Sequence, residues 1–141
     1  MIKIISNSEK ETFDIGVQIG KTLKPNDIVA CFGQLGSGKT VLTKGIASAF
    51  NINTVNSPTF TLLNEYKGSI DIYHFDAYRI TQGDWFSCGF DEYLFNDGIC
   101  IIEWAENIQD VLPDGAIKVT ISECGTGDYN SRQIAIEGAT L

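Results

Sequence analysis

Gly33-Gln34-Leu35-Gly36-Ser37-Gly38-Lys39-Thr40 decides how the rest of this chain is read. The stretch fits G-x-x-x-x-G-K-[ST] at every position. By average composition, chance supplies such a match in roughly one of a few hundred chains of this length, so the motif is informative on its own. Its chemistry is that of a phosphate cradle. Gly33, Gly36 and Gly38 let the backbone turn so that successive N–H groups face one anion. A helix opening near Lys39 adds its positive dipole end. Lys39 is placed to reach the β and γ phosphates of a nucleotide, and the Thr40 hydroxyl to ligate Mg²⁺. All eight residues, with Gln34, Leu35 and Ser37 contributing backbone, form the candidate nucleotide site.

The flanks agree with this reading. Ile28-Val29-Ala30-Cys31-Phe32 is a continuous apolar run, as a strand buried on both faces requires. Beyond the motif, Val41, Leu42, Ile46 and Phe50 predict an amphipathic helix from about Lys39 to Phe50. Upstream, Ser8 and Glu11 have capping-box spacing. Phe13/Val17 and Ile15/Ile19/Leu23 recur at four-residue intervals, predicting a first helix to about Leu23, broken by Pro25-Asn26-Asp27. Downstream, Asn51 to Pro58 is polar and turn-rich. Phe60 to Tyr66 and Ser69 to Phe75 read as a hairpin around Lys67-Gly68. Asp76 to Gly89 reads as irregular, and Asp91 to Asn96 as a short helix ended by Gly98. Ile99 to Ile102 is a second buried-type strand ending on Glu103. Ala116 to Ser122 and Gln133 to Glu137 read as a closing hairpin across Gly125-Thr126-Gly127-Asp128. The expectation is one α/β domain over residues 1–141, a P-loop NTPase fold whose mixed sheet is flanked by helices. Parallel strands occupy its middle, and hairpins lie toward one side.

A P-loop needs a carboxylate near Thr40 to help hold Mg²⁺. Two acids end strands. Glu103 closes the more apolar run and is assigned to the metal, directly or through water. Asp76 follows Ile72-Tyr73-His74-Phe75, which alternates more and reads as less buried. It is assigned to orient the attacking water or to bind a metal-bound water. The opposite assignment stays open, because strand order is not written in a single chain. Catalysis is thus ascribed to Asp76 and Lys39, and metal binding to Thr40 and Glu103. Thr59, in Ser57-Pro58-Thr59-Phe60, occupies the loop where nucleotide switches sense the γ-phosphate. Trp104 is a candidate to pack over the site. His74, the only histidine, reads as a packed strand residue rather than a base.

Bulk properties narrow the function. The chain has 141 residues, 10 basic and 18 acidic, for a net charge of -8. Lys and Arg are the residues that displace counterions from nucleic-acid phosphates, so direct nucleic-acid binding is not expected as the main task, nor is docking on an anionic membrane. No apolar run reaches the roughly 20 residues of a membrane span. Met1-Ile2-Lys3-Ile4-Ile5 is too short for a signal peptide. Cys31, Cys88, Cys100 and Cys124 lack CxxC spacing and read as reduced thiols. A cytoplasmic location is the expectation.

The motifs in order resemble one family, TsaE (formerly YjeE), a bacterial ATPase of tRNA threonylcarbamoyladenosine synthesis. The resemblance rests on Gly33 to Thr40, Ser57-Pro58-Thr59-Phe60, His74-Phe75-Asp76-Ala77-Tyr78-Arg79, Gly89-Phe90-Asp91-Glu92-Tyr93, Ile101-Ile102-Glu103-Trp104, and Arg132. Gln34 stands where the family often has Asp, and Trp85-Phe86-Ser87-Cys88 replaces a usual acidic and Leu-rich stretch. The resemblance implies binding of ATP/ADP with Mg²⁺ and weak hydrolysis by the isolated protein. It also implies work beside TsaB and TsaD, the latter transferring threonylcarbamoyl to adenosine 37 of tRNAs. Residues alone reach only Mg-ATP binding with hydrolysis. The rivals are a small P-loop kinase, for which two arginines (Arg79 and Arg132) and no room for a lid are poor provision, and a nucleotide-dependent adaptor without useful catalysis.

Overall fold

The computed structural model describes residues 1–33, 38–56, 58, 61–124 and 131–141. Seven strands, β1 (Ile2–Ser6), β2 (Ile28–Phe32), β3 (Leu63–Tyr66), β4 (Ile72–Asp76), β5 (Ile99–Glu103), β6 (Ile117–Glu123) and β7 (Arg132–Glu137), form one mixed sheet. Their order across it is β1-β7-β6-β2-β5-β4-β3. The four middle strands, β6-β2-β5-β4, run parallel. β3 is antiparallel at one edge, and β7 and β1 are antiparallel at the other. The two hairpins therefore lie at opposite edges, not on one side. β2 takes the middle because its Ile28, Val29, Ala30 and Cys31 are all buried, and a strand apolar on both faces needs neighbours and cover on both.

Period-two alternation assigns the two faces. Val29 and Cys31 of β2, with Ile99 and Ile101 of β5, meet helices α1 (Glu9–Gly20) and α2 (Lys39–Ser48) through Ile15, Ile19, Leu42 and Ile46. Ala30, Cys100, Ile102 and Phe75 face the opposite core, closed by helix α3 (Gln82–Ser87) and by two 3₁₀ segments, Phe90–Tyr93 and Ala105–Val111. The two apolar layers use up the strands, and the polar strand-end residues emerge at the edge where α2 begins.

Local chemistry sets the boundaries. Ser8 Oγ accepts the Glu11 N–H, as the capping spacing predicts, while Glu11 Oε2 accepts from Asn7 rather than from Ser8. α1 ends at Gly20, three residues before Leu23, which is nonetheless buried. α2 likewise stops at Ser48, and Phe50 packs from the turn beyond it. The stretch read as irregular holds α3, which carries a complete capping box between Thr81 and Asp84. Its Trp85 is fully buried against Phe75 and Phe90, with ring centroids 5.0 and 5.5 Å away, whereas Phe86 is exposed. The segment predicted as a helix over Asp91 to Asn96 is the 3₁₀ turn Phe90–Tyr93. Strand β1, whose Ile2 and Ile4 pack on the first core, had no counterpart in the sequence reading.

α1 crosses α2 at two glycines. A methyl added at Gly45 would collide with the Phe13 carbonyl oxygen and lie 3.0 Å from Gly16 Cα. Backbone atoms cannot step aside without parting the helices. Alanine's helix propensity would return about 1 kcal/mol, less than overpacking of this kind removes. Gly45→Ala is expected to destabilise by roughly 1–3 kcal/mol net, read as a lower urea midpoint at unchanged m-value. Gly115→Ala, where nothing lies within 4 Å of the added methyl, should move the midpoint little.

Candidate nucleotide site

Strand order puts the two acids in sequence from the cradle. β5 lies directly beside β2, with Cys31 opposite Glu103, and β4 is one strand farther, with Asp76 opposite Glu103. Alternation along β4 puts Ile72, His74 and Asp76 on one face, and along β5 it puts Ile99, Ile101 and Glu103 there too. That is the α2 face. β4 is buried throughout its length, and Asp76 at 8% exposure is only slightly less buried than Glu103 at 5%.

The described part of the cradle is its two ends. Gly33 and Gly38 have φ of 145° and 106°, values that favour glycine strongly. Gly38 is the N-cap of α2 and offers no side chain to the first-turn N–H groups. Those donors thus receive no cap from the N-cap side chain, the condition of an anion-binding helix terminus. Gln34, Leu35, Gly36 and Ser37, and also Thr59, lie outside the described residues.

Lys39 is buried to 5% exposure. Its ammonium donates to the Gly33 carbonyl and sits 3.5 Å from the centroid of the Trp104 ring. It makes no ion pair among the described residues. Burial pushes its pKa down, and the charges of Glu106 and Glu103 pull it back. Trp104 reaches this position because its own φ is 59°, left-handed and uncommon for a bulky side chain. The chain turns sharply after β5 and lays the indole on Lys39. Tyr78 packs against the same ring, with centroids 4.7 Å apart.

The Thr40 hydroxyl stands 3.5 Å from Glu103 Oε1, a long and weak hydrogen bond. Glu103 Oε2 is 2.5 Å from His74 Nε2. Asp76 Oδ1 accepts the Tyr78 N–H at 2.9 Å, tying this carboxylate to the turn that leads to Arg79. Asn107 Nδ2 donates to the carbonyls of Ala77 and Tyr78 and fixes the same turn. Arg79 is exposed there. Arg132 opens β7 at the same edge of the sheet, two strands from β2, and donates to the Ser131 carbonyl. The structure thus gathers Gly33, Gly38, Lys39, Thr40, Glu103 and Trp104 at one place, with Asp76 one strand away. Arg132 stands apart. Sequence reasoning passed over Glu106, whose Oε2 accepts from the Gly33 N–H at 3.4 Å, and over Asn107. Their signal was position, immediately after a strand-end acid and an aromatic.

The family model described as threonylcarbamoyl adenosine biosynthesis protein TsaE matches residues 6–134. The chain belongs to the TsaE family. A tRNA threonylcarbamoyladenosine biosynthesis protein TsaE of Rickettsia typhi is 42% identical over 136 residues, 93% of this chain and 91% of the relative. One of Bacillus subtilis is 39% identical over 118 residues, 82% of this chain and 74% of the relative. The crystal structure of Bacillus subtilis YdiB superposes with a TM-score of 0.81 at 32% identity, covering 96% of this chain and 83% of that one. The α/β P-loop fold with its mixed sheet is therefore that of TsaE proteins. The Trp85 to Cys88 departure is in part a core feature of this TsaE chain, since Trp85 fills the α3 core. No helix among the described residues is long and apolar enough to cross a membrane.

The stacking of Lys39 on Trp104 supplies a reporter. An anion that draws the ammonium away changes the indole's surroundings. Nucleotide addition is expected to shift Trp emission in the native chain and in Trp85→Phe, and to leave Trp104→Phe unchanged, as read by fluorescence titration.

Proposed function

We propose that this protein binds Mg-ATP at the β2–α2 junction and hydrolyses it slowly, as the nucleotide-driven subunit of the tRNA N6-threonylcarbamoyladenosine machinery, working in the cytoplasm with TsaB and TsaD. One observation carries the nucleotide reading: an uncapped helix N-terminus, a buried lysine and a threonine hydroxyl facing a strand-end carboxylate meet at one point. The pathway and the partners rest on family membership.

The donor set fits Mg²⁺. Thr40 and Glu103 offer hard oxygen atoms, and Asp76 adds a third one strand away. Among the described residues no three His, Cys, Asp or Glu side chains form a dedicated cage, which agrees with an ion held by one or two carboxylates together with phosphate oxygens. When bound, Mg²⁺ would supply positive charge against the phosphates. The chain's own groups do the rest. First-turn N–H groups of α2 and Lys39 hold the phosphates. Thr40 and Glu103 would be the metal ligands. Asp76, anchored by one oxygen to the Tyr78 N–H, orients water with the other. Arg79 follows on the same turn as a candidate cis cation for the γ-phosphate.

Lys39→Ala and Thr40→Ala should each weaken Mg-ATP binding at least about tenfold, since a charge-assisted contact contributes roughly 1.5–3 kcal/mol. Glu103→Gln should raise the Mg²⁺ requirement, while Asp76→Asn should keep affinity and lose turnover. Calorimetry and phosphate release distinguish these outcomes, and unchanged values in all four variants reject the site.

Turnover alone should be slow, because an arginine finger supplied in cis or trans contributes about 10³ to 10⁵ in rate and this chain has two arginines. Titration with purified TsaB and TsaD is expected to raise phosphate release, and ATP to tighten the complex, since coupling of binding energies is reciprocal. Fast turnover that ignores both partners contradicts the reading.

A further inference from the structure

The site rests on a buried polar chain that phosphate binding does not explain. His74 is completely buried on β4. One ring nitrogen, Nε2, meets Glu103 Oε2 at 2.5 Å, and the other, Nδ1, lies 3.3 Å from the Tyr66 hydroxyl. The Tyr66 hydroxyl lies 2.8 Å from the Asn56 carbonyl and accepts the Asn56 N–H at 3.1 Å. Asn64 Nδ2 also donates to the Asn56 carbonyl, at 3.1 Å. The chain therefore runs from Thr40 through Glu103, His74 and Tyr66 to the backbone at Asn56. It crosses from β5 to β4 to β3 and out to the segment that follows α2.

Proton accounting gives this chain a direction. An ionised carboxylate only accepts, so Nε2 carries the proton it shares with Glu103, and Nδ1 and the Asn56 carbonyl then share the single proton of the Tyr66 hydroxyl. The ring then holds Oε2 and leaves Oε1 toward Thr40. A glutamate has three side-chain torsions, and one bond to a ring that cannot move fixes most of them. The ring in turn is fixed by β-sheet packing and by Tyr66. Outer partners that orient a ligand in this way commonly matter 10–100-fold to metal affinity.

We propose that His74 is a positioning residue for Glu103, and that Tyr66 ties that position to the backbone at Asn56. Glu103's orientation and the 52–56 segment then respond together when Mg-ATP binds. This rests on the proposed Mg-ATP site.

Three variants test it. His74→Leu removes both bonds. His74→Gln returns an amide donor toward Glu103 but cannot also hold Tyr66. Tyr66→Phe keeps the ring and loses the hydroxyl. The readouts are the Mg²⁺ concentration that half-saturates ATP binding, and amide hydrogen exchange across 52–56 with and without Mg-ATP. Wild-type protein should show slower exchange there when loaded. His74→Leu should need about tenfold more Mg²⁺ or greater and lose the protection. His74→Gln should recover most of the Mg²⁺ response without the protection. Tyr66→Phe should bind within about twofold of wild type and lose the protection. A wild-type Mg²⁺ requirement in His74→Leu overturns the positioning role, as does a failure of His74→Gln to improve on His74→Leu. Intact ligand-dependent protection in Tyr66→Phe, or none in wild type, overturns the coupling. Should His74→Leu not fold, His74→Gln and Tyr66→Phe decide alone, and loss of the Mg²⁺ response in His74→Gln then counts against the proposal. Absence of Mg-ATP binding in wild type would reject the proposed function itself, and this inference with it.

Discussion

Glu103 is a carboxylate kept at 5% exposure at the end of a central strand, and such a group costs several kcal/mol unless donors and charges answer it. Much of the site can be understood as that answer. His74 Nε2 takes one oxygen, the Thr40 hydroxyl faces the other, and the Lys39 ammonium adds positive charge nearby. None of these partners is close to Glu103 in sequence. Each is delivered by the pairing of β5 with β2 on one side and β4 on the other. The register is constrained too. A slip of one residue in β5 would turn Glu103 to the α3 core and expose Ile102 to the α2 face. The isoleucines that alternate along β5 therefore hold the carboxylate in place as firmly as its polar partners do.

The same logic extends to α2. Its N-terminus can present bare N–H groups because Gly38 leaves them uncapped, and its position over the sheet is set by how closely α1 approaches. The Gly16–Gly45 contact lets the two helices touch backbone to backbone. A larger residue at that crossing would displace the helix that carries Lys39 and Thr40. Packing and phosphate geometry are thus one constraint at this point, not two.

What could be read from sequence was whatever is local and periodic. The apolar runs of β2 and β5, the glycine pattern and the Lys39–Thr40 pair stand in a few consecutive residues, and the fold class followed from them. Non-local facts were not legible. Which strand neighbours β2 depends on the whole chain's return path, and the expectation of hairpins on one side failed there. That β4 is buried throughout was not legible because Tyr73 and His74 look polar, yet the polar atoms of His74 are satisfied by Glu103 and Tyr66, 29 and 8 residues away. β1 was passed over because Ile2 and Ile4 make too short an alternation to register without β7 beside it. α3 was legible in principle through Thr81 and Asp84, but its aromatic content masked the cap.

Electrostatics gives a reason for the proposed nucleotide site to be weak by itself. The chain carries net charge -8, so at long range it repels a nucleotide. At physiological ionic strength charges farther than about 8 Å are largely screened, so the local field at the cradle decides binding. That field comes from the helix N-terminus and Lys39, and it is opposed by Glu103, Asp76 and Glu106 until a divalent cation is shared among them. Burial lowers the pKa of Lys39 while Glu106 and Glu103 pull it back, so this one cation is already answered by more than one carboxylate. A second fixed cation would relieve that imbalance at the γ-phosphate. Arg79, exposed on the turn that Asp76 and Asn107 brace, is the cation this chain can bring nearest in sequence. Under the proposed function a further cation would come from a partner, and the site would be completed rather than merely regulated by the surface that covers it.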